Sequence, residues 1–209
     1  MSKAILPVDD AVRYTRLLLE AGIHFRPGQC LSISAEPFHW PFLNILAEEA
    51  YRAGAKFVDV TAPHPRLGKA RVDYASTDTL EFVPAHTLAR RDMILAGGWS
   101  RLAFTGEEDP DLFANVDQSR YAITTKAAGT TNKPLMDACG SGRVPWGVAG
   151  LPTPAWAERV FSDTDGNHNA RALWDVMKPI LRLDKEDPVQ AWRDLAQASV
   201  MRCRHLDAH

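Results

Sequence analysis

Cysteine is scarce in this chain: of 209 residues only Cys30, Cys139 and Cys203 are cysteines, far apart and with no C-x-x-C pair. That spacing excludes a zinc ribbon and points to a reducing, cytoplasmic compartment. Long apolar runs are missing as well. The first thirty residues alternate acidic, basic and apolar positions, and no later window approaches the length of about twenty apolar residues that a membrane helix needs. The chain is therefore expected neither to be exported by a conventional signal nor to span a membrane. An excess of one charge is also lacking, since 24 Lys and Arg oppose 26 Asp and Glu for a formal net charge of −2. With both signs interspersed, no basic face is set up to neutralise phosphates, which argues against a nucleic-acid partner. There is no internal repeat, low-complexity tract or flexible linker.

What is present is enough apolar material, 45% of residues, for one generous core. Val8, Ala11, Val12, Thr15, Leu18, Leu19 and Gly22 recur at three- and four-residue intervals, an amphipathic helix closed by Gly22. After the turn Arg26-Pro27-Gly28-Gln29, the short stretch Cys30–Ser34 predicts a strand, and Leu43, Leu46, Ala47, Ala50 and Tyr51 resume the helical period up to Gly54. Lys56–Val60 predicts the next strand. Strand, helix and strand make a βαβ unit with parallel strands. Further on, 84–96 reads as helix, Arg101–Phe104 as strand ending at Thr105-Gly106, 109–138 as mostly helix, and Gly147–Ala149 as a fourth strand. The expected fold is α/β, a mainly parallel sheet of about four strands sandwiched by helices. Two helices, 166–181 and 187–209, would follow with no further strand. The second carries a stripe of Trp192, Leu195, Ser199, Cys203 and Leu206 that meets no stop signal before the chain ends. The expected division is an α/β scaffold over 1–165 and a helical tail over 166–209.

Candidate chemistry is sparse. The turn after the first strand, Ala35-Glu36-Pro37-Phe38-His39, lacks the glycines of a dinucleotide fingerprint or a P-loop. The cluster Cys139-Gly140-Ser141-Gly142-Arg143 follows a helix and reads as its terminator. Ser141 does not sit on a strand-to-helix elbow, and Cys139 has no local histidine partner, so both read as structural. His205 and His209 have zinc-helix spacing, but Leu206 stands where the general base would be. Asp163-Thr164-Asp165-Gly166-Asn167 starts like a calcium loop, yet its glycine comes early and no closing glutamate follows; helix capping by Asp165 explains it better. His24, His39, His64, His86 and His168 are dispersed. His64, between Pro63 and Pro65, lies at the carboxyl edge of the sheet, where α/β ligands usually bind. The pairs Glu48-Glu49 and Glu107-Glu108 read as solvated faces. Pro152-Thr153-Pro154 turns the fourth strand into a helix anchored by Trp156 and Phe161. Nothing assembles a nucleophile, a base and an oxyanion site.

The order of several stretches resembles the thermophilic-type metallo-aminopeptidases. They are the first helix with Gly22, Arg26–Gln29, Ala47–Lys56, Asp109–Leu112, Asn132–Leu135, Trp146–Phe161, Leu173-Trp174 and Asp187–Trp192. The resemblance keeps this order over essentially the whole chain. It implies an aminopeptidase acting on peptides, homodimeric, with two divalent ions, zinc or cobalt. It also implies proteins about twice as long, whose ligands lie in the carboxy-terminal half. No catalytic, cofactor-binding or metal-ligating residue of that family maps onto this chain, which is expected to bind no metal and to be inactive alone. The alternatives are a free-standing α/β binding or interaction module and a small hydrolase using Ser141 or a dispersed histidine.

Overall fold

The computed structural model describes residues 5–161 and 169–207. Its helices are α1 (Val8–Leu17, continued by a π-helical turn, Leu18–Gly22), α2 (Trp40–Arg52), α3 (Pro65–Tyr74), α4 (Ala85–Leu95), α5 (Gln118–Gly140), α6 (Pro154–Val160), α7 (Ala170–Ile180) and α8 (Pro188–Asp207). The strands β1 (Cys30–Ser34), β2 (Phe57–Thr61), β3 (Trp99–Thr105) and β4 (Trp146–Gly150) form one sheet in the order β2-β1-β3-β4. Every pair is parallel: Cys30 stands opposite Phe57 on one side and Trp99 on the other, and Arg101 opposite Trp146. The expected α/β architecture is therefore present.

Side chains of successive strand residues point to opposite faces. On one face Leu31, Ile33, Leu102, Phe104 and Ala149 pack against Ala11, Tyr14 and Leu17 of α1 and Phe42, Leu43 and Leu46 of α2. On the other, Trp99 packs with Ile94 of α4, Leu135, Ala138 and Cys139 of α5, and Val144. Covering both faces is what a parallel sheet with crossover helices requires.

The tail shares the first core. Trp174 of α7 is fully buried, its ring 5.4 Å from that of Tyr14, and its Nε1 donates to Asp10 Oδ2 at 2.8 Å. Lys178 Nζ lies 3.1 Å from the other Asp10 oxygen. Burial works to raise the Asp10 pKa, but the Trp174 hydrogen bond and the Lys178 charge outweigh it and hold the carboxyl below its ordinary value. Burying the Trp174 side chain stabilises the fold by on the order of 3 kcal/mol. In α8, Trp192 is half-buried, donating to Leu181 O at 2.9 Å, whereas Ser199, Cys203 and Leu206 of the same stripe are exposed.

Two expectations need correction, and one helix was not predicted. The stretch 109–138 is helical only from Gln118, because Asp117 caps α5 by accepting from the N–H groups of Ser119 and Arg120. Residues 65–74, for which the sequence predicted no element, form α3, with Pro65 at its first position and His64 as its cap. Glu49 is not on a solvated face: it is 7% exposed and pairs with Arg52 and, at 3.5 Å, with Arg16 of α1.

Candidate functional site

In an open parallel sheet, ligands bind outside the carboxyl ends of the strands, where the strand order changes direction. Here that point lies between β1 and β3. The loops leaving β1, β2 and β3 meet there around a cavity of about 280 Å3 lined by Glu36, His64, Arg66, Glu108, Asp109 and Leu112.

The side chains of Glu36, His64, Arg66 and Asp109 are each partly engaged by a neighbour. Glu36 Oε2 accepts the main-chain N–H of Glu108 at 3.0 Å, and Arg66 Nη2 lies 3.2 Å from Asp109 Oδ2. His64 Nδ1 accepts the N–H of Arg66 at 3.3 Å, so the neutral ring carries its proton on Nε2. The cavity can take a small polar group, but it contains no Ser, Thr or Cys nucleophile.

Beneath it, the loops are fixed to one another. His39, 5% exposed, donates from Nε2 to Gly106 O at 2.8 Å. Burial holds its pKa below the usual histidine value, despite the Gly106 carbonyl and the charges of Glu36 and Glu108. Gly106 has φ +124, and a Cβ there would sit 1.9 Å from Leu151 O. Thr153 Oγ1 donates to Glu107 O at 2.8 Å and accepts from Trp156 N–H at 3.1 Å, so one hydroxyl both caps α6 and ties it to the β3 loop. The shape of the Trp146–Phe161 segment thus rests on Thr153 as well as on its flanking prolines.

The other sequence candidates are scattered. Cys139 is buried in the second core, and burial pushes its thiol pKa up, away from nucleophilic use. Ser141 is exposed and donates to Ala138 O at 3.2 Å, as part of the turn ending α5. His24 and His86 are exposed on other parts of the surface. Asp163–Asn167, His168 and His209 lie outside the described residues. Among the described residues, no three His, Cys, Asp or Glu side chains come together as a set that could hold a metal ion. Glu36, Glu108 and Asp109 were not singled out as a group by sequence. The signal was available in their position after β1 and β3, but only the strand order joins those two loops.

Among the described residues, no helix is long and apolar enough to cross a membrane. A family model described as thermophilic metalloprotease (M29) matches residues 9–209. Aminopeptidase PepS of Streptococcus thermophilus is 31% identical over 196 residues, 93% of this chain and 47% of that protein. Aminopeptidase T of Thermus thermophilus is 26% identical over 196 residues, 94% of this chain and 48% of that protein. The structure of wild-type AmpT from Thermus thermophilus matches with a TM-score of 0.72 at 24% identity, over 82% of this chain and 43% of that one, which shows the shared fold. The chain spans about half the length of the curated relatives it matches. On the match over residues 9–209, the chain belongs to the thermophilic metalloprotease (M29) family.

Proposed function

We propose that this chain is a non-catalytic scaffold portion of a cytoplasmic two-metal aminopeptidase that removes amino-terminal residues from peptides. The observation carrying this reading is the pairing of a metallopeptidase family match with described residues that do not fit a metal centre. In a two-metal hydrolase, clustered carboxylates and imidazoles hold the ions that polarise the scissile carbonyl and activate water. The cavity at the carboxyl edge holds Asp109 against Arg66 and His64 Nδ1 against a backbone N–H, so its groups serve each other. The ligands, for zinc or cobalt, would then come from the part of the relatives' length that this chain does not match, and the complete enzyme would be a homodimer. The exposed Ser199, Cys203 and Leu206 on α8 support the same reading, because an apolar stripe left open suits a surface that packs on further protein.

The division into a 1–165 scaffold and a 166–209 tail is retained as part of this proposal. A second reading, a free-standing α/β binding module, is favoured by an apolar groove beside β4. The test is elemental analysis of untagged protein equilibrated with zinc or cobalt, together with turnover of an aminoacyl-nitroanilide. Little retained metal and no turnover are expected. Near-stoichiometric metal with metal-dependent turnover would overturn the scaffold reading.

A further inference from the structure

β4 is an edge strand, with β3 on one side only. Arg101 N–H donates to Pro145 O and Leu151 N–H to Thr105 O, both at 2.8 Å, so odd-numbered residues of the strand turn their main-chain groups toward β3. In a parallel pair these groups alternate, which turns those of Trp146, Val148 and Gly150 toward the free side. Gly150 O is taken by Tyr14 Oη at 3.1 Å. No described backbone group bonds to Trp146 or Val148 on that side. Both residues also expose their side chains, 47% and 57% respectively.

Alongside this edge lies a groove of about 420 Å3 between β4, the π-helical turn after α1 and the first half of α8. Leu17, Leu18, Ala21, Leu181 and Trp192 make it apolar. Its charged or titratable lining groups are Arg193, His24 and Tyr14, the last with its hydroxyl engaged on Gly150 O; no carboxylate lines it. The nearest anion to Arg193 is Glu20, 3.9 Å away and half exposed, a weak pairing that leaves the guanidinium available.

We propose that the free edge of β4 and this groove bind an extended peptide segment as a fifth strand. The N–H and C=O groups of Trp146 and Val148 that no main-chain group takes are spaced to match an extended backbone, which an isolated small molecule does not offer. The groove beside them takes a large apolar side chain from one face of that strand, while its alternate side chains lie against Trp146 and Val148. Arg193 at the groove supplies the complement for a carboxylate two residues further along the same face. Main-chain bonds then give affinity, and the groove with its cation gives selectivity. The occupant is thus an apolar-acidic peptide.

The test uses the full chain and the synthetic peptide acetyl-Thr-Val-Leu-Val-Glu-Thr-amide, with amide hydrogen exchange and NMR titration as readouts. Saturable binding is expected, with exchange at the Trp146 and Val148 amides slowed. N-methylation of the alternate amides that face β4 should weaken binding at least about tenfold, whereas methylation of the other set should leave it within about twofold. Ala196→Trp, a change on the exposed side of α8 that fills the groove, should also weaken it at least about tenfold. Absence of binding at millimolar peptide, or equal binding of the two methylated peptides, would overturn the proposal. So would edge amides already protected in the free chain. Protection that rises with protein concentration would assign the edge to a second copy, and constant protection would assign it to another part of this chain.

Discussion

Gly106→Ala tests whether the loops at the carboxyl edge are fixed as described. Gly106 has φ +124, a region that L side chains rarely adopt, and its new methyl would lie 1.9 Å from Leu151 O and 3.0 Å from Leu151 C. The obstacle is backbone and cannot swing aside. Relief requires moving Leu151, which is 1% exposed and whose N–H closes the β3–β4 ladder onto Thr105 O at 2.8 Å. The left-handed backbone costs about 1–2 kcal/mol. A lost ladder bond adds about 1 kcal/mol, and displacing a buried leucine on the order of 1–2 kcal/mol. The total of about 3–5 kcal/mol corresponds to a fall in Tm of about 6–20 °C for a chain of this size. Urea denaturation followed by tryptophan fluorescence measures it. Gly129→Ala is the control, since that glycine lies within α5 with open space around it and should gain up to about 1 kcal/mol. A loss below about 1 kcal/mol in Gly106→Ala would refute the reasoning that this loop is sterically closed.

Asp10→Ala removes the acceptor of the buried Trp174 N–H and the partner of Lys178, and should cost about 2–3 kcal/mol in chemical denaturation at neutral pH. Because the folded Asp10 pKa is lowered, its contribution is full above the unfolded carboxylate range and is lost as pH falls through the folded value; wild type and variant should therefore converge in acid. His39 has the opposite charge type but the same slope. Burial holds its folded pKa below the ordinary histidine value, so the unfolded chain takes the proton first and stability falls as pH drops below about 6.5; denaturation of His39→Gln across that window should be flatter than wild type. Thr15 is fully buried and its Oγ1 has no hydrogen-bond partner among the described residues, so Thr15→Val should raise stability by about 1 kcal/mol, visible as a higher Tm.

The sheet was readable because each strand is a short apolar alternation set off by turn residues. Cys30–Ser34 follows Pro27-Gly28, and Trp146–Gly150 precedes Pro152. α3 escaped for the reverse reason. It buries only Val72, so its sequence Pro-Arg-Leu-Gly-Lys-Ala-Arg-Val-Asp-Tyr has almost no apolar period to detect. Residues 109–117 imitate a helix through Leu112 and Val116, both buried, although the chain there only turns toward the Asp117 cap. Glu49 shows a limit of another kind. A carboxylate on a helix reads as solvated until the arginines that pair with it are known, and Arg16 is 33 residues away in another element. The carboxyl-edge cavity depends on strand order, and no local pattern in Glu36, His64 or Asp109 records that β1 lies between β2 and β3.

The contact between α1 and α7 also sets an order of events in synthesis. Asp10 and Trp174 are 164 residues apart. At about 5–20 residues per second, α1 waits on the order of ten to thirty seconds after leaving the ribosome before its buried partner exists. During that interval the face of Tyr14 that Trp174 will cover stays open, while the βαβ unit behind it can already assemble from local segments. α1 is therefore locked only after α7 has been made, and until then the nascent chain carries an apolar surface.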